Sequence, residues 1–282
     1  MTKLASVINF CTHDLRFLDK CIRSVASFSD QIVIPVCDHF YNGKPEDLSL
    51  LQRLYHKYPD IDFIEFAYSE EEVYGTPSKW IPQSPGWAQH WHNSARLIGT
   101  YFLHADIDYV LFLDVDEIFA ANLRQVPFTD YASLRFATYW YFKTARQCAT
   151  VYPDGPLLIR RDLLTTELLL NEDERMGMFF KIEGKKEREY VLDGKPLVHH
   201  YSWVRTKEEM LQKVRSWGHH WERDWEALME TEGDFVRGYE YKEVEPYWDP
   251  LQEEASLPNE EGAPLKKVTP KDIFLLEIAG FL

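Results

Sequence analysis

Across residues 4–113, apolar runs of strand length alternate with segments whose apolar residues recur at helical spacing, and this alternation restricts the fold more than any other feature. Residues 4–10 read as a buried strand, and Leu18, Cys21, Ile22 and Val25 then mark a helix with Asp14 as its N-cap. Residues 31–36 form a second strand, 48–58 a second helix and 63–67 a third strand. A loop with Pro, Ser and Gly (74–86) precedes a helix carrying Trp91, Ala95, Ile98 and Phe102 on one face, which leads into a strand at 109–113. Strands separated by helices predict βαβ units, an α/β fold whose mostly parallel sheet is covered by helices on both faces.

Beyond residue 120 the rhythm changes. Residues 134–142 read as one strand, 157–159 and 190–192 as short ones, and 197–204 as a last strand. Thr206 to Glu209 form a capping box opening a long helix striped by Leu211, Val214, Gly218, Trp221, Trp225 and Leu228. Residues 222–261 hold 14 Asp or Glu against 3 Lys or Arg, −11 of a net charge of −15. Such a run reads as a solvated face. The chain thus divides into an α/β domain, 1–205, and a helical, acidic extension, 206–282, packed on it. An apolar tail, 273–282, is expected to pack on the core.

The acidic balance argues against nucleic acid or an anionic membrane as a bulk partner. Cys11, Cys21, Cys37 and Cys148 show no zinc-like spacing, and no apolar run approaches the roughly 20 residues that span a bilayer. With no leader-like segment before residue 4, the expectation is a reduced, cytoplasmic setting with at most a peripheral contact to the inner face of a membrane. Aromatic residues reach 15%, with 9 Trp. They fit either a core of large side chains or a cleft that stacks rings on aromatic faces. Trp217, Trp221 and Trp225, on one helical face, read as core; Trp80 and Trp87, in a loop, read as ligand contacts.

Three D-x-D triplets occur, where roughly one is expected by chance: Asp60-Ile61-Asp62, Asp106-Ile107-Asp108 and Asp114-Val115-Asp116. Ligands of open α/β sheets bind beyond the carboxyl ends of the strands, and only the third triplet follows its strand. Two carboxylates so placed, with Glu117 beside them, can share a hard divalent cation and its phosphates. They can equally cap the next element or pair with arginine.

The segment Leu111-Phe112-Leu113-Asp114-Val115-Asp116-Glu117-Ile118-Phe119 resembles the metal-binding segment of GT-A-fold, family 2-like glycosyltransferases, a Rossmann-related group. Asn93 to Gly99 resembles the helix preceding that strand, and His199-His200-Tyr201-Ser202-Trp203-Val204-Arg205 is similar to an element found in some members. The resemblance covers residues 4–120 best and continues more weakly to about 220. It implies a metal-dependent hexosyltransferase that moves sugar from a nucleotide-sugar donor, UDP-sugar favoured, to a carbohydrate or glycoconjugate acceptor, with inversion. Mn²⁺ or Mg²⁺ would be held by Asp114, Asp116 and His200, with Asp114 turned toward the ribose. Thr12 and Asp38 would hold the nucleotide, and Arg96 and Arg205 its phosphates. An inverting enzyme needs a carboxylate base. By family pattern the pair Glu172-Asp173 supplies it, although it follows Asp116 sooner than expected.

Two other functions compete. A sugar nucleotidyltransferase would want a Gly-rich loop after the first strand, where this chain reads Cys11-Thr12-His13-Asp14-Leu15. A catalytically silent glycan-binding protein would share the scaffold. The structural reading of His90, His92, His219 and His220 is helix packing.

Overall fold

β1 (Leu4–Asn9), β2 (Gln31–Cys37), β3 (Asp62–Phe66) and β4 (Tyr109–Asp114) run parallel in the order β4-β1-β2-β3. This is a computed structural model, and it describes residues 2–75, 78–84, 86–150, 155–172, 174–184, 189–231, 235–236 and 239–280. α1 (Leu15–Ala26) and α2 (Leu48–Lys57) cover one face of the strands, α3 (Trp87–Tyr101) the other. Successive strand residues point to opposite faces. Leu4 and Ile8 therefore join the core of Leu18, Cys21, Leu51 and Leu54, while Ala5 and Val7 join that of Trp91, Ala95 and Ile98. Burial on both faces is why these strands are almost wholly apolar. At Gly99 of α3 a Cβ would stand 2.6 Å from Val7 Cγ1, so glycine sets how closely helix and sheet approach.

Asp116 and its neighbour Val115 are all that separates β4 from β5 (Glu117–Phe119), which belongs to a second sheet. The remaining elements are β6 (Ser133–Phe136), β7 (Thr138–Phe142), β8 (Thr144–Ala149), β9 (Leu157–Arg160), α4 (Thr166–Asn171), α5 (Arg175–Glu183), β10 (Glu189–Tyr190) and β11 (Val198–Trp203). After them come α6 (Lys207–Ser216), α7 (Trp225–Thr231), β12 (Phe235–Val236), β13 (Tyr239–Glu243), β14 (Lys266–Val268) and α8 (Pro270–Ile278). The main sheet runs β10-β6-β9-β4-β1-β2-β3-β14, and the second β12-β13-β8-β7-β11-β5. The α/β class and the helix-flanked, mostly parallel sheet are as expected.

Several local expectations are corrected. The run 134–142 is two strands in two sheets: the chain changes sheet at Ala137, whose N–H goes to the Tyr190 carbonyl. The long helix from 206 stops at Ser216, because Trp217 turns extended (φ −77°, ψ 173°). The Trp225 indole then donates to the His219 carbonyl at 2.8 Å, which closes the turn before α7. The extension is not purely helical, since β13 pairs with β8 and β14 adds a parallel edge to β3. In α8 Ile273 is buried, while Phe274, Leu275 and Ile278 are exposed. Among the described residues no helix is long and apolar enough to cross a membrane.

Candidate active site

The carboxyl ends of β1 and β4 stand in register, Asn9 opposite Asp114, and open onto a cleft. Its floor is Asn9, Asp114 and Asp116. One wall is His200, Ser202 and Trp203 of β11, and the other is His92 with Glu174 and Arg175 at the start of α5. His13, Asp14, Lys213, Trp217 and His219 complete the lining, with Tyr41 and Trp140 as further aromatics. β11 is brought here by pairing with β5 and by the Tyr201 N–H, which donates to the Asp116 carbonyl at 2.9 Å. This is the carboxyl-end position expected for Asp114 and Asp116. The other triplets sit at the opposite end, where Asp106 and Asp108 meet Lys3.

Asp116 is 2% exposed and surrounded by cations. Its Oδ2 accepts from Arg205 Nη2 at 2.8 Å and Lys213 Nζ at 2.7 Å, and His200 Nε2 is 3.4 Å from Oδ1. Burial would raise its pKa, but Lys213, His200 and Arg205 hold it well below the usual carboxylate range. The His200 imidazole, which burial would depress, is raised by Asp116. Arg205 also pairs with Asp14 at 2.6 Å and lies over the Phe17 ring; against burial, it helps hold the Asp14 carboxyl down at about 2. Asp14, expected as a helix cap, makes no side-chain cap bond and faces the cleft instead.

Arg175 joins Asp114 and Glu117. Its Nη1 and Nη2 donate to the Glu117 oxygens at 2.6 and 2.8 Å, and Nη2 to Asp114 Oδ2 at 3.2 Å. Glu117, fully buried, also accepts the Asp114 N–H at 2.7 Å, and burial keeps its pKa above normal despite Arg175. Thus pairing with arginine, one of the alternatives open from sequence, describes this triplet. Asp114 Oδ1 and Asn9 Oδ1 are buried acceptors with no partner at hydrogen-bond distance, His92 Nε2 standing 3.7 Å from Asp114 Oδ1, and the Trp217 indole is a buried donor without one. Buried polar atoms are rarely left so. Two orphan acceptors on paired residues in a cleft fit a ligand that brings hydroxyl groups.

The donor set does not fit a divalent cation. Among the described residues no group of three or more His, Cys, Asp or Glu is arranged to hold a metal, so Asp114, Asp116 and His200 are not assembled as ligands. The physical reason is the ammonium on Asp116. Lys213 and Arg205 already occupy Asp116 Oδ2 and Arg175 occupies Asp114 Oδ2, so the chain's own cations take the place on these carboxylates that an ion would need.

The other expected residues are mostly held outside the cleft lining. Thr12 gives its N–H and hydroxyl to Glu46. Asp38 accepts from the Tyr68 N–H at 2.7 Å and contacts His39 Nδ1 at 2.7 Å. Arg96, 1% exposed, stands behind the wall on Asn93, His92 and Glu174. Glu172 turns to Lys181 at 3.4 Å, and Asp173 lies outside the described residues. Glu174 is the carboxylate of that stretch which lines the cleft; His219 meets it at 2.7 Å and, against burial, holds it at about 2. Bridging Glu174 and Glu222, His219 is itself raised to about 10. The Trp80 indole donates to the Leu170 carbonyl of α4, and Trp87, which opens α3 rather than lying in a loop, donates to the Ser69 carbonyl; the cleft takes Trp140, Trp203 and Trp217 instead.

Sequence reasoning missed Lys213, Arg175, Asn9 and Glu174. Lys213 did leave a signal: it falls in step with Met210 and Val214 on the buried face of α6, where a lysine needs a partner.

No protein-family model matches the sequence, and no curated protein sequence matches it. Among solved structures it is similar to 4-diphosphocytidyl-2C-methyl-D-erythritol synthase from Anaerococcus prevotii (12% identity, TM-score 0.41, covering 79% of this chain and 99% of that one). It is also similar to the glycosyltransferase GlyE of Streptococcus pneumoniae, with 14% identity, TM-score 0.38, and 82% and 63% of the two chains covered. A third, from Desulfovibrio desulfuricans and described as a nucleotide-diphospho-sugar transferase, shares 12% identity over 82% and 98% of the chains at a TM-score of 0.37. With TM-scores below 0.5 these overlaps carry no weight for function, which rests on the cleft's own residues.

Proposed function

We propose that the chain is a glycosyltransferase that moves a hexosyl group from a nucleotide-sugar, UDP-sugar favoured, to a hydroxyl of a glycan or other acceptor, with inversion. The observation that carries this reading is one cleft at the carboxyl ends of β1 and β4. It combines buried cations (Arg175, Lys213), orphan hydroxyl acceptors (Asn9, Asp114) and aromatic faces (Tyr41, Trp140, Trp203, Trp217). Phosphate, ribose and sugar need those three kinds of partner.

In this reading Asp114 Oδ1 and Asn9 Oδ1 accept from the ribose diol. The leaving diphosphate gains negative charge as the glycosidic bond breaks, and preorganised cations at the cleft offset it. Glu174 accepts the proton of the acceptor hydroxyl. It is ionised across the physiological range, though its pairing with His219 makes it a weak base. No step runs through Mn²⁺ or Mg²⁺, because Asp116 is already neutralised by the chain's own cations.

The test is a panel of UDP- and GDP-sugars, followed by thermal shift and by slow donor hydrolysis, with Asp114→Ala as control. Stabilisation and turnover of one donor, lost in the variant, is the expected result. No response to any donor overturns the proposal in favour of a glycan-binding protein. Pyrophosphate release from a nucleoside triphosphate and a sugar phosphate would reassign it as a nucleotidyltransferase.

A further inference from the structure

Lys213 occupies an unusual position. The capping box of Thr206 and Glu209 fixes where α6 begins, and Arg16 grips Glu209 at 2.6 Å, tying the helix to α1. Met210 and Val214 pack into the aromatic cluster with Trp203 and Trp225, and Lys213 on the same face is carried to Asp116. It is 8% exposed, yet it lines the cleft, whereas Arg205 lies behind it and is not part of the lining. An ammonium has three N–H donors. One goes to Asp116 Oδ2 at 2.7 Å and one toward Ser202 Oγ at 3.5 Å, which leaves a third for a ligand. Arg205 spends its fork on Asp14 and Asp116 and its Nε on the Ser202 carbonyl.

Resting on the nucleotide-sugar reading above, we propose that Lys213, seated on Asp116, is the counter-ion of the donor diphosphate and does the work of a divalent cation, so that nucleotide binding here needs no metal. Asp116 is then a seat for Lys213 rather than a ligand. Arg205 neutralises the rest of that carboxylate, so the ammonium keeps attraction to spare for phosphate. Arg175, on the opposite wall, is a further cation within the lining. The arrangement is built and buried in the protein, so its charge is fixed in place before ligand arrives, as preorganised electrostatics requires.

The test is calorimetric titration of the full chain with UDP, GDP, CDP and ADP, in EDTA and in Mn²⁺. The expected result is that one nucleotide binds with affinity in EDTA within about threefold of that in Mn²⁺, and at least about tenfold more weakly in Lys213→Met, the scale of one charge-assisted contact. Binding only in Mn²⁺, or full binding in a folded K213M, overturns the inference while the transferase reading stands. If no nucleotide binds under either condition, both fall. Should K213M not fold, the wild-type comparison between EDTA and Mn²⁺ decides alone.

Discussion

Arg175→Met removes the cation that, among the described residues, Glu117 and Asp114 share. Three contacts of 2.6, 2.8 and 3.2 Å are lost, and Glu117 stays fully buried with only the Asp114 N–H as donor. Deleting one member of a buried pair costs about 3–5 kcal/mol, because the survivor is left charged and unsolvated. At about 2–4 °C per kcal/mol for a chain approaching this size, Tm should fall by about 6–20 °C. Urea and thermal unfolding at pH 7 without ligand measure it. Burial already raises the Glu117 pKa with the arginine present, so without it protonation comes at still higher pH. The deficit should therefore shrink as pH falls toward 5. Arg175→Met with Glu117→Leu, which removes both charges, should recover at least half of the loss. A loss below about 1 kcal/mol, or a double variant no better than the single one, would refute the view that this pair holds the floor of the cleft.

Four further outcomes are expected. Gly99→Ala should cost about 1–3 kcal/mol by overpacking against Val7, seen as a lower urea midpoint, and V7A should relieve it. The His219–Glu174 pair sets a pH window. His219 is raised from 6.5 to about 10, so its contribution to stability is complete below pH 6.5 and is lost as pH rises toward 10, while Glu174 keeps its own share until pH falls toward 2. In His219→Gln the stability deficit at pH 6 should be gone by pH 10, and a deficit independent of pH would contradict the pairing. Asn9→Ala should weaken binding of a ribonucleotide more than of its 2′-deoxy form, by about fivefold to tenfold in calorimetry. Substituting Lys at Val268, which is 3% exposed in β14, should promote aggregation by detaching the strand that covers the β3 edge, measured by light scattering on heating.

The first half of the fold was legible because buried parallel strands such as β1 and β4 are apolar throughout and helical stripes intervene. The carboxyl-end placement of Asp114 and Asp116 followed from strand polarity, whereas His200 was brought near them only by the resemblance of its segment to a family element. What surrounds them was not legible. Lys213 and Arg175 come from segments about 60 to 100 residues away; Arg175 looks locally like a solvated helix charge, and the step of Lys213 with Met210 and Val214 marks it as buried without naming its partner. Asp14 carried a capping cue that its pairing with Arg205 overrides. The stripe of Trp217, Trp221 and Trp225 implied one helix, but the indole of Trp225 satisfies a carbonyl within a turn that helical periodicity cannot reveal.

The parallel pairing of β14 with β3 has a kinetic consequence. Val268 meets Phe66 across about 200 residues of chain, so the main sheet gains its last edge only when nearly all of the sequence is available. Until then β3 is a bare edge and the nascent chain is most exposed to pairing with another copy. Completion of the fold therefore waits on the acidic stretch between 222 and 261, whose charge repels like chains during that interval.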